Sequence, residues 1–159
     1  MINQITPCLW FDNQAEEAAI FYTSFFENSK IETISRYGKE GVEFHGQKEG
    51  TALTVAFELN GQSFTALNGG PVYKFSEAVS FQIFCESQEK IDFYWNHLAE
   101  GGEEGRCGWL KDQYGISWQI VPTILPELMS DPAKSGKVMN AFMQMKKFNI
   151  EKLKQAYNS

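Results

Sequence analysis

One arrangement occurs twice in this chain of 159 residues, and the repetition constrains its fold more than any other feature. A short apolar run, "ITPCLWF" (5–11), is broken by Asp12-Asn13. Ala18, Phe21, Tyr22 and Phe25 then fall at i, i+3, i+4 and i+7, the spacing of one helix face. Asn13 followed by Glu16 has the form of a capping box, in which the carboxylate reaches back to the cap's N–H. "KIETISRY" (30–37) alternates as a strand does, and "GKEGVEFHGQKEG" reads as a polar loop. "TALTVAFEL" (51–59) and "QSFTAL" (62–67) are strands joined by Asn60-Gly61, a strong two-residue hairpin signal.

The same order returns in the second half. "AVSFQIFC" (78–85) is a strand, Ser87 is a natural helix N-cap, and Ile91, Tyr94, Trp95 and Leu98 repeat the helical stripe. Phe21-Tyr22 and Phe93-Tyr94 hold matching places, and Gly61-x-x-Phe64 is echoed by Gly115-x-x-Trp118. "GEEGRCGWLK" and "ISWQIVP" close the second copy as a hairpin about Asp112-Gln-Tyr-Gly115, where an Asx turn accounts for Asp112. Only "AEGGEEG" separates Leu98 from Arg106, so the second strand of that copy is very short or missing. Two copies of β-α-β-β-β describe this chain better than one irregular sheet does. The expected organisation is one domain over 1–159, with module one at about 1–72, module two at about 73–123 and a helical tail at about 124–159. In the tail, Asp131-Pro132 reads as a cap and first helical position, and a second short helix starts at Asn149. Val138, Met139, Phe142, Met143 and Met145 form a face suited to packing on the sheet or on a partner subunit.

Composition excludes several classes. The net charge is −6, and Lys146-Lys147 is the sole basic cluster, so the concentrated phosphate-neutralising face of a nucleic-acid binder is absent. No apolar run approaches the ~20 residues of a membrane span. The N-terminal "MINQITPCLWFD" has no basic region or cleavage site, and a cytoplasmic location is expected. Cys8, Cys85 and Cys107 have neither CxxC nor zinc spacing and read as buried thiols, with a reactive Cys107 as the alternative. The aromatic share, 14%, implies bulky rings filling a core or lining a cleft.

With the repeat established, the chain resembles the vicinal-oxygen-chelate (glyoxalase/bleomycin-resistance/dioxygenase) superfamily. Within that superfamily it resembles the PhnB-like branch, whose domain carries the label 3-demethylubiquinone-9 3-methyltransferase. The segments "LWFDNQAEEAAIFYTSFF", "LNGQSFTALNGGP", "FSEAVSFQIFC", "EGGEEGRCGWLKDQYGISWQIVP" and "MKKFNIEKLKQA" carry this resemblance over nearly the whole chain. It implies an α+β fold of two βαβββ modules forming a glyoxalase-type curved sheet or barrel, followed by C-terminal helices. It also implies a homodimer and, in metal-dependent members, a divalent ion held by His, Gln or Glu on inward-facing strand positions. Here those positions fall at Pro7, at Thr65 or Ala66, at Val79 or Ser80, and at Gln119, and one plausible ligand in four does not make a metal site. His45, in a loop, and His97, on the outer part of a helix, supply no replacement.

The methyltransferase label lacks its physical correlate. A nucleotide-like pocket wants a glycine-rich turn between a parallel strand and a helix, whereas "LNGGP" follows a hairpin and leads into an extended segment. The expectation is therefore a small-molecule-binding module without metal or other cofactor, with its cleft lined by Trp10, Phe57, Asn68, Gln82, Trp109 and Gln119. Such a lining joins aromatic bodies to amide handles that orient a neutral polar ligand. Tyr73 and Phe75, after Gly69-Gly70-Pro71, could close its mouth. The competing readings are an enzyme, either a metal-dependent lyase, isomerase or oxygenase with unconventional ligands or one using Gln119 and Cys107, and sequestration of a cationic drug by an acidic dimer.

Overall fold

Each copy of the repeat opens with a short strand that becomes the edge of its own sheet. In the computed structural model, which describes residues 3–159, β1 (Cys8–Phe11) leads into α1 (Ala15–Phe25) and β2 (Lys30–Arg36). The helical turn α2 (Val42–His45), then β3 (Ala52–Leu59) and β4 (Gln62–Asn68), complete the first copy. Met1 and Ile2, part of the stretch read above for a leader, lie outside the described residues. The strands order as β1-β4-β3-β2, with β1 parallel to β4 and the other pairs antiparallel. The hairpin between β3 and β4 forms because Asn60 and Gly61 both take positive φ, 48° and 78°, matching the twist of the flanking strands.

The second copy repeats this plan. It comprises β5 (Ser80–Cys85), α3 (Gln88–Ala99), β6 (Glu103–Glu104), β7 (Trp109–Lys111) and β8 (Ser117–Pro122), ordered β5-β8-β7-β6. Its second strand is reduced to two residues, as the short "AEGGEEG" spacer requires. Three helices follow: α4 (Leu125–Ser130), α5 (Ser135–Phe142) and α6 (Ile150–Asn158). The chain is thus α+β, built of two open four-stranded sheets and not of a closed barrel. It divides into two compact units, the first ending at Phe75 and the second running from Ser76 to Ser159.

In both units the helix covers one face of its sheet. Ala18, Tyr22 and Phe25 of α1 are buried against β3 and β4, where Phe57 stacks between Tyr22 and Phe64. Ile91, Tyr94, Trp95 and Leu98 of α3 pack on Leu110, Trp118 and Ile120. Burying each such side chain contributes roughly 1.5–3 kcal/mol. Ser87 caps α3 by accepting from the Lys90 N–H, and Asn149 caps α6 by accepting from Lys152.

Several local expectations are corrected. The N-cap of α1 is Gln14, not Asn13, and it makes no side-chain cap bond. The orphan Ala15 N–H is taken instead by Asn68 Oδ1 at 2.9 Å, from 53 residues away. Glu16 does not reach back to a cap; it forms a two-pronged ion pair with Arg36 at 2.8 and 2.9 Å. The loop around His45 contains the turn α2. Asp131 caps the Ala133 N–H in a tight turn, and the helix begins four residues after it, at Ser135. The methionine face is split, with Val138 buried while Met139 and Met143 stay half exposed.

Asn68 is the polar joint of the first unit. Its Nδ2 donates to the Ala52 carbonyl at 2.9 Å, so one buried amide ties β4 to α1 and to β3. Asn68→Ala strands a donor and an acceptor away from water and should destabilise the protein by about 2 kcal/mol or more. Urea denaturation measures this, and a loss below about 0.5 kcal/mol would refute the joint.

Candidate functional site

The period of two along a strand separates residues committed to the core from residues that can meet a ligand. In the second unit, Gln82 lies level with Gln119 and Gln119 with Trp109, so three of the expected site residues form one row across β5, β8 and β7. Ser80, Ser117 and Lys111 form the next row on the same face. The opposite face carries Trp118, Ile120 and Leu110 under α3. Gln119 Nε2 donates to Ser80 Oγ at 2.8 Å, and Gln82 Nε2 approaches Gln119 Oε1 at 3.4 Å. The amide at the most diagnostic position is thus held in a chain of neutral groups.

The first unit distributes its candidates differently. Trp10 lies on the open face, its Nε1 donating to the Gly70 carbonyl at 2.9 Å and its ring meeting Tyr73 edge-on at 5.0 Å. Gly69 is required there, because a Cβ would fall 2.1 Å from the indole. Phe57 and Asn68, each 1% exposed, lie instead on the helix-covered face, one in an aromatic stack and the other in the joint described above. The alternation "TALTVAFEL" leaves the facing ambiguous, since apolar residues occur on both sides of the strand. Phe75 packs edge-on against buried Phe11, and Tyr73 stays 64% exposed on Trp10.

The strand pairing places the expected diagnostic positions in the two sheets. Thr65 pairs with Cys8 and Ala66 with Leu9, Ser80 pairs with Ser117 and Gln119 with Gln82, and Pro7 and Val79 each lie one residue before their strand. His45 is engaged with the Glu40 carbonyl and the Gln47 N–H, and His97 with the Phe93 carbonyl. Among the described residues, no three of His, Cys, Asp or Glu come together as a metal-holding group.

What holds this face in place is Asp112, buried at the turn between β7 and β8. Its Oδ1 accepts from the Tyr114 and Ile116 N–H groups, and its Oδ2 from Trp118 Nε1 at 2.8 Å. By drawing Trp118 inward, the carboxylate fixes the neighbouring Ser117 and Gln119 outward. Lys111 is paired with Glu77 at 2.5 Å, which raises the ammonium's pKa and lowers that of the carboxyl. Beside them is a depression of about 170 Å³ lined by Glu77, Glu103, Trp109, Lys111 and Ser117, among others. Sequence reasoning missed Ser117, because a lone serine in a strand carries no signal. A larger hollow between α3 and the tail has its polar groups engaged: Gln88 bonds Phe148 and Ile150, and Asp92 pairs with Lys147.

A family model described as 3-demethylubiquinone-9 3-methyltransferase matches residues 3–121. The chain belongs to that PhnB-like family. A solved structure described as a putative 3-demethylubiquinone-9 3-methyltransferase, PhnB protein, from Bacillus cereus is 38% identical. The match covers 76% of this chain and 100% of that one, with a TM-score of 0.68. Protein PA1353 from Pseudomonas aeruginosa is 18% identical over 76% of this chain and 98% of its own, at a TM-score of 0.61. The fosfomycin resistance protein FosX of Listeria monocytogenes is 15% identical over 82% and 100%, at 0.54. These last two share the fold. No curated protein matches the chain. The family match ends at Val121, within β8, so α4 to α6 lie beyond it. No helix among the described residues is long and apolar enough to cross a membrane.

Two measurements check the site's construction. Asp112→Ala leaves three buried or partly buried N–H donors without their acceptor and should cost about 3 kcal/mol in thermal or urea unfolding, while Asp112→Asn, which keeps one acceptor oxygen, should cost less. Equal stability of the alanine variant would exclude the anchoring role. Thiol titration should resolve three classes. Cys8 is exposed, contrary to the expectation of burial, and reacts first. Cys107, half-buried against the Phe142 carbonyl and Met143 sulfur, follows. Cys85, buried and pushed up to about 11, stays a protonated thiol at pH 8 and is protected in the folded protein. A fast phase that survives Cys8→Ser would contradict this order.

Proposed function

We propose that this PhnB-like protein of the glyoxalase superfamily is a metal-independent small-molecule-binding module, working as a homodimer, whose ligand sits on the open face carrying Gln82, Trp109 and Gln119. The observation that carries this reading is the state of Gln119. A ligating oxygen must be free to turn toward a cation and be joined by other hard or imidazole donors. Here the Gln119 amide is engaged with Ser80 Oγ and Gln82, and the other expected positions, Pro7, Thr65 or Ala66, and Val79 or Ser80, supply no carboxylate or imidazole. That donor set does not fit a divalent ion, and no metal-dependent step is derived from it. It does suit an uncharged planar or amphipathic molecule, which amides orient by donating and accepting while the Trp109 indole supplies apolar area.

The methyltransferase named by the family has less support. The turn Asn68-Gly69-Gly70 ends a strand that is antiparallel to β3, leads into no helix, and has Gly69 filled by the Trp10 ring. A dimer is favoured by β5, which ends its sheet, exposes Phe84 and is preceded by exposed Val79.

The test is direct. Purified protein equilibrated with Mn, Ni, Zn or Fe and desalted should retain well below one ion per chain, and Gln119→Ala should leave that level unchanged. Stoichiometric retention abolished by Gln119→Ala would end the proposal. Light scattering on the same sample should give twice the chain mass.

A further inference from the structure

The second unit contains one polar atom with no account in the fold. Ser117 is 1% exposed, and its Oγ has no hydrogen-bond partner among the described residues. A buried hydroxyl without a partner is uncommon, and it calls for an explanation outside the protein's own bonding. Ser117 lies on the open face of β8 and lines the depression of about 170 Å³ together with Trp109, Lys111, Glu77 and Glu103.

The surrounding charge selects what could complete it. Glu104 is engaged on the helix side, accepting from Trp95 Nε1 at 3.0 Å and from Lys146 at 3.4 Å. Glu77 is taken by Lys111. The carboxylate of Glu103, which is paired with Lys111 across the two strands, has no hydrogen-bond or close ion-pair partner among the described residues and feels that ammonium only at longer range. One carboxylate is therefore left over at the rim, and the local balance is negative. A carboxylate or phosphate ligand would be repelled, whereas a cation would be drawn in. The Trp109 ring in the same wall favours a cationic head or an aromatic stem. The volume falls below the ~300–1,000 Å³ of drug-sized pockets, so it fits a small molecule or one end of a larger one.

We infer that Ser117 is the anchor of a subsite for a small protonated amine, whose N–H groups donate to Ser117 Oγ and to the Glu103 carboxylate while its stem lies along Trp109. This rests on the binding-module reading and names the ligand class for the same open face. Neutral amides at Gln82 and Gln119 orient the body of the ligand, and the negative depression takes its charged end.

The experiment titrates the full chain at pH 7 with benzylamine, benzyl alcohol and benzoate, followed by tryptophan fluorescence and ligand-observed NMR. Benzylamine should bind saturably, the alcohol at least about tenfold more weakly, and benzoate not at all. Ser117→Ala and, separately, Glu103→Gln should each weaken benzylamine about tenfold. Because the hydroxyl makes no bond in the free protein, apo Ser117→Ala should melt at the same temperature as the parent or higher, a gain that an ordinary structural serine would not give. The inference is overturned if benzylamine does not saturate, if the alcohol binds equally, if Ser117→Ala binds undiminished, or if that variant melts lower. Saturable binding of the neutral alcohol that ignores Ser117 would remove this subsite and leave the module reading standing. Metal retained through Gln119 would do the reverse.

Discussion

In each unit everything depends on the parallel pairing of the first strand with the last. A slip of one residue would send every side chain to the opposite face, exposing the core and burying the open surface. The hydrophobic set alone does not hold that register, because strands such as β3 and β5 carry apolar residues on both sides. Two buried polar anchors complete the specification. In the first unit Asn68 ties the end of β4 to α1 and β3. In the second, Asp112 pins Trp118 under α3 and so fixes which residues of β8 look outward. Every side-chain polar atom of both anchors has a hydrogen-bond partner, the condition under which a buried polar group favours one structure over its alternatives.

The features legible in the sequence were those whose physics is local. Asn60-Gly61 makes its turn from two positive φ angles, Ser87 and Asn149 cap their helices within three residues, and the helical stripes read directly as buried faces. The features that escaped were long-range. Nothing near Asn13 announces that the start of α1 is satisfied from Asn68, and the polar residues around Glu16 do not name Arg36 as its partner. The candidate site divides on the same line. Trp10, Gln82, Trp109 and Gln119 lie on open faces and Phe57 and Asn68 on the helix-covered one, a distinction of one residue in phase that is invisible without the partner strand. Ser117 could not be found at all, since its distinguishing property is a hydrogen bond it lacks.

The repeat itself explains why long polar side chains collect on the sheet face of one of the two copies. Phe64 and Trp118 hold equivalent places and are both buried beneath a helix, so that position is restrained by packing in each unit. The neighbouring open-face positions carry no such restraint. There the first unit has Cys8 beside Thr65, and the second has Gln82 beside Gln119 with a hydroxyl row next to it. Core positions of a duplicated fold stay alike because a helix must fit them. Surface positions are free to differ, and the second copy carries the longer, more polar side chains there, with amide groups that both donate and accept.

The tail beyond the family match is integral to this surface. Cys107 and Gly108 both take positive φ, 55° and 80°, and donate their N–H groups to the carbonyls of Met145 and Lys146. A side chain at Gly108 would strike Phe148, whose ring is 2.4 Å from the Cβ position, so the tail and the entry to β7 are fitted to each other. Gln88 at the start of α3 holds the Phe148 carbonyl and the Ile150 N–H with one amide, which anchors the same segment from the opposite side. The strand so braced is the one that presents Trp109 and Lys111. β6, reduced to two residues, offers little support on that flank, and the tail's backbone bonds at Cys107 and Gly108 fix the entry to β7 where the repeat is too short to do so. The short β6 and the tail therefore act together on β7, and the geometry of the depression depends on both.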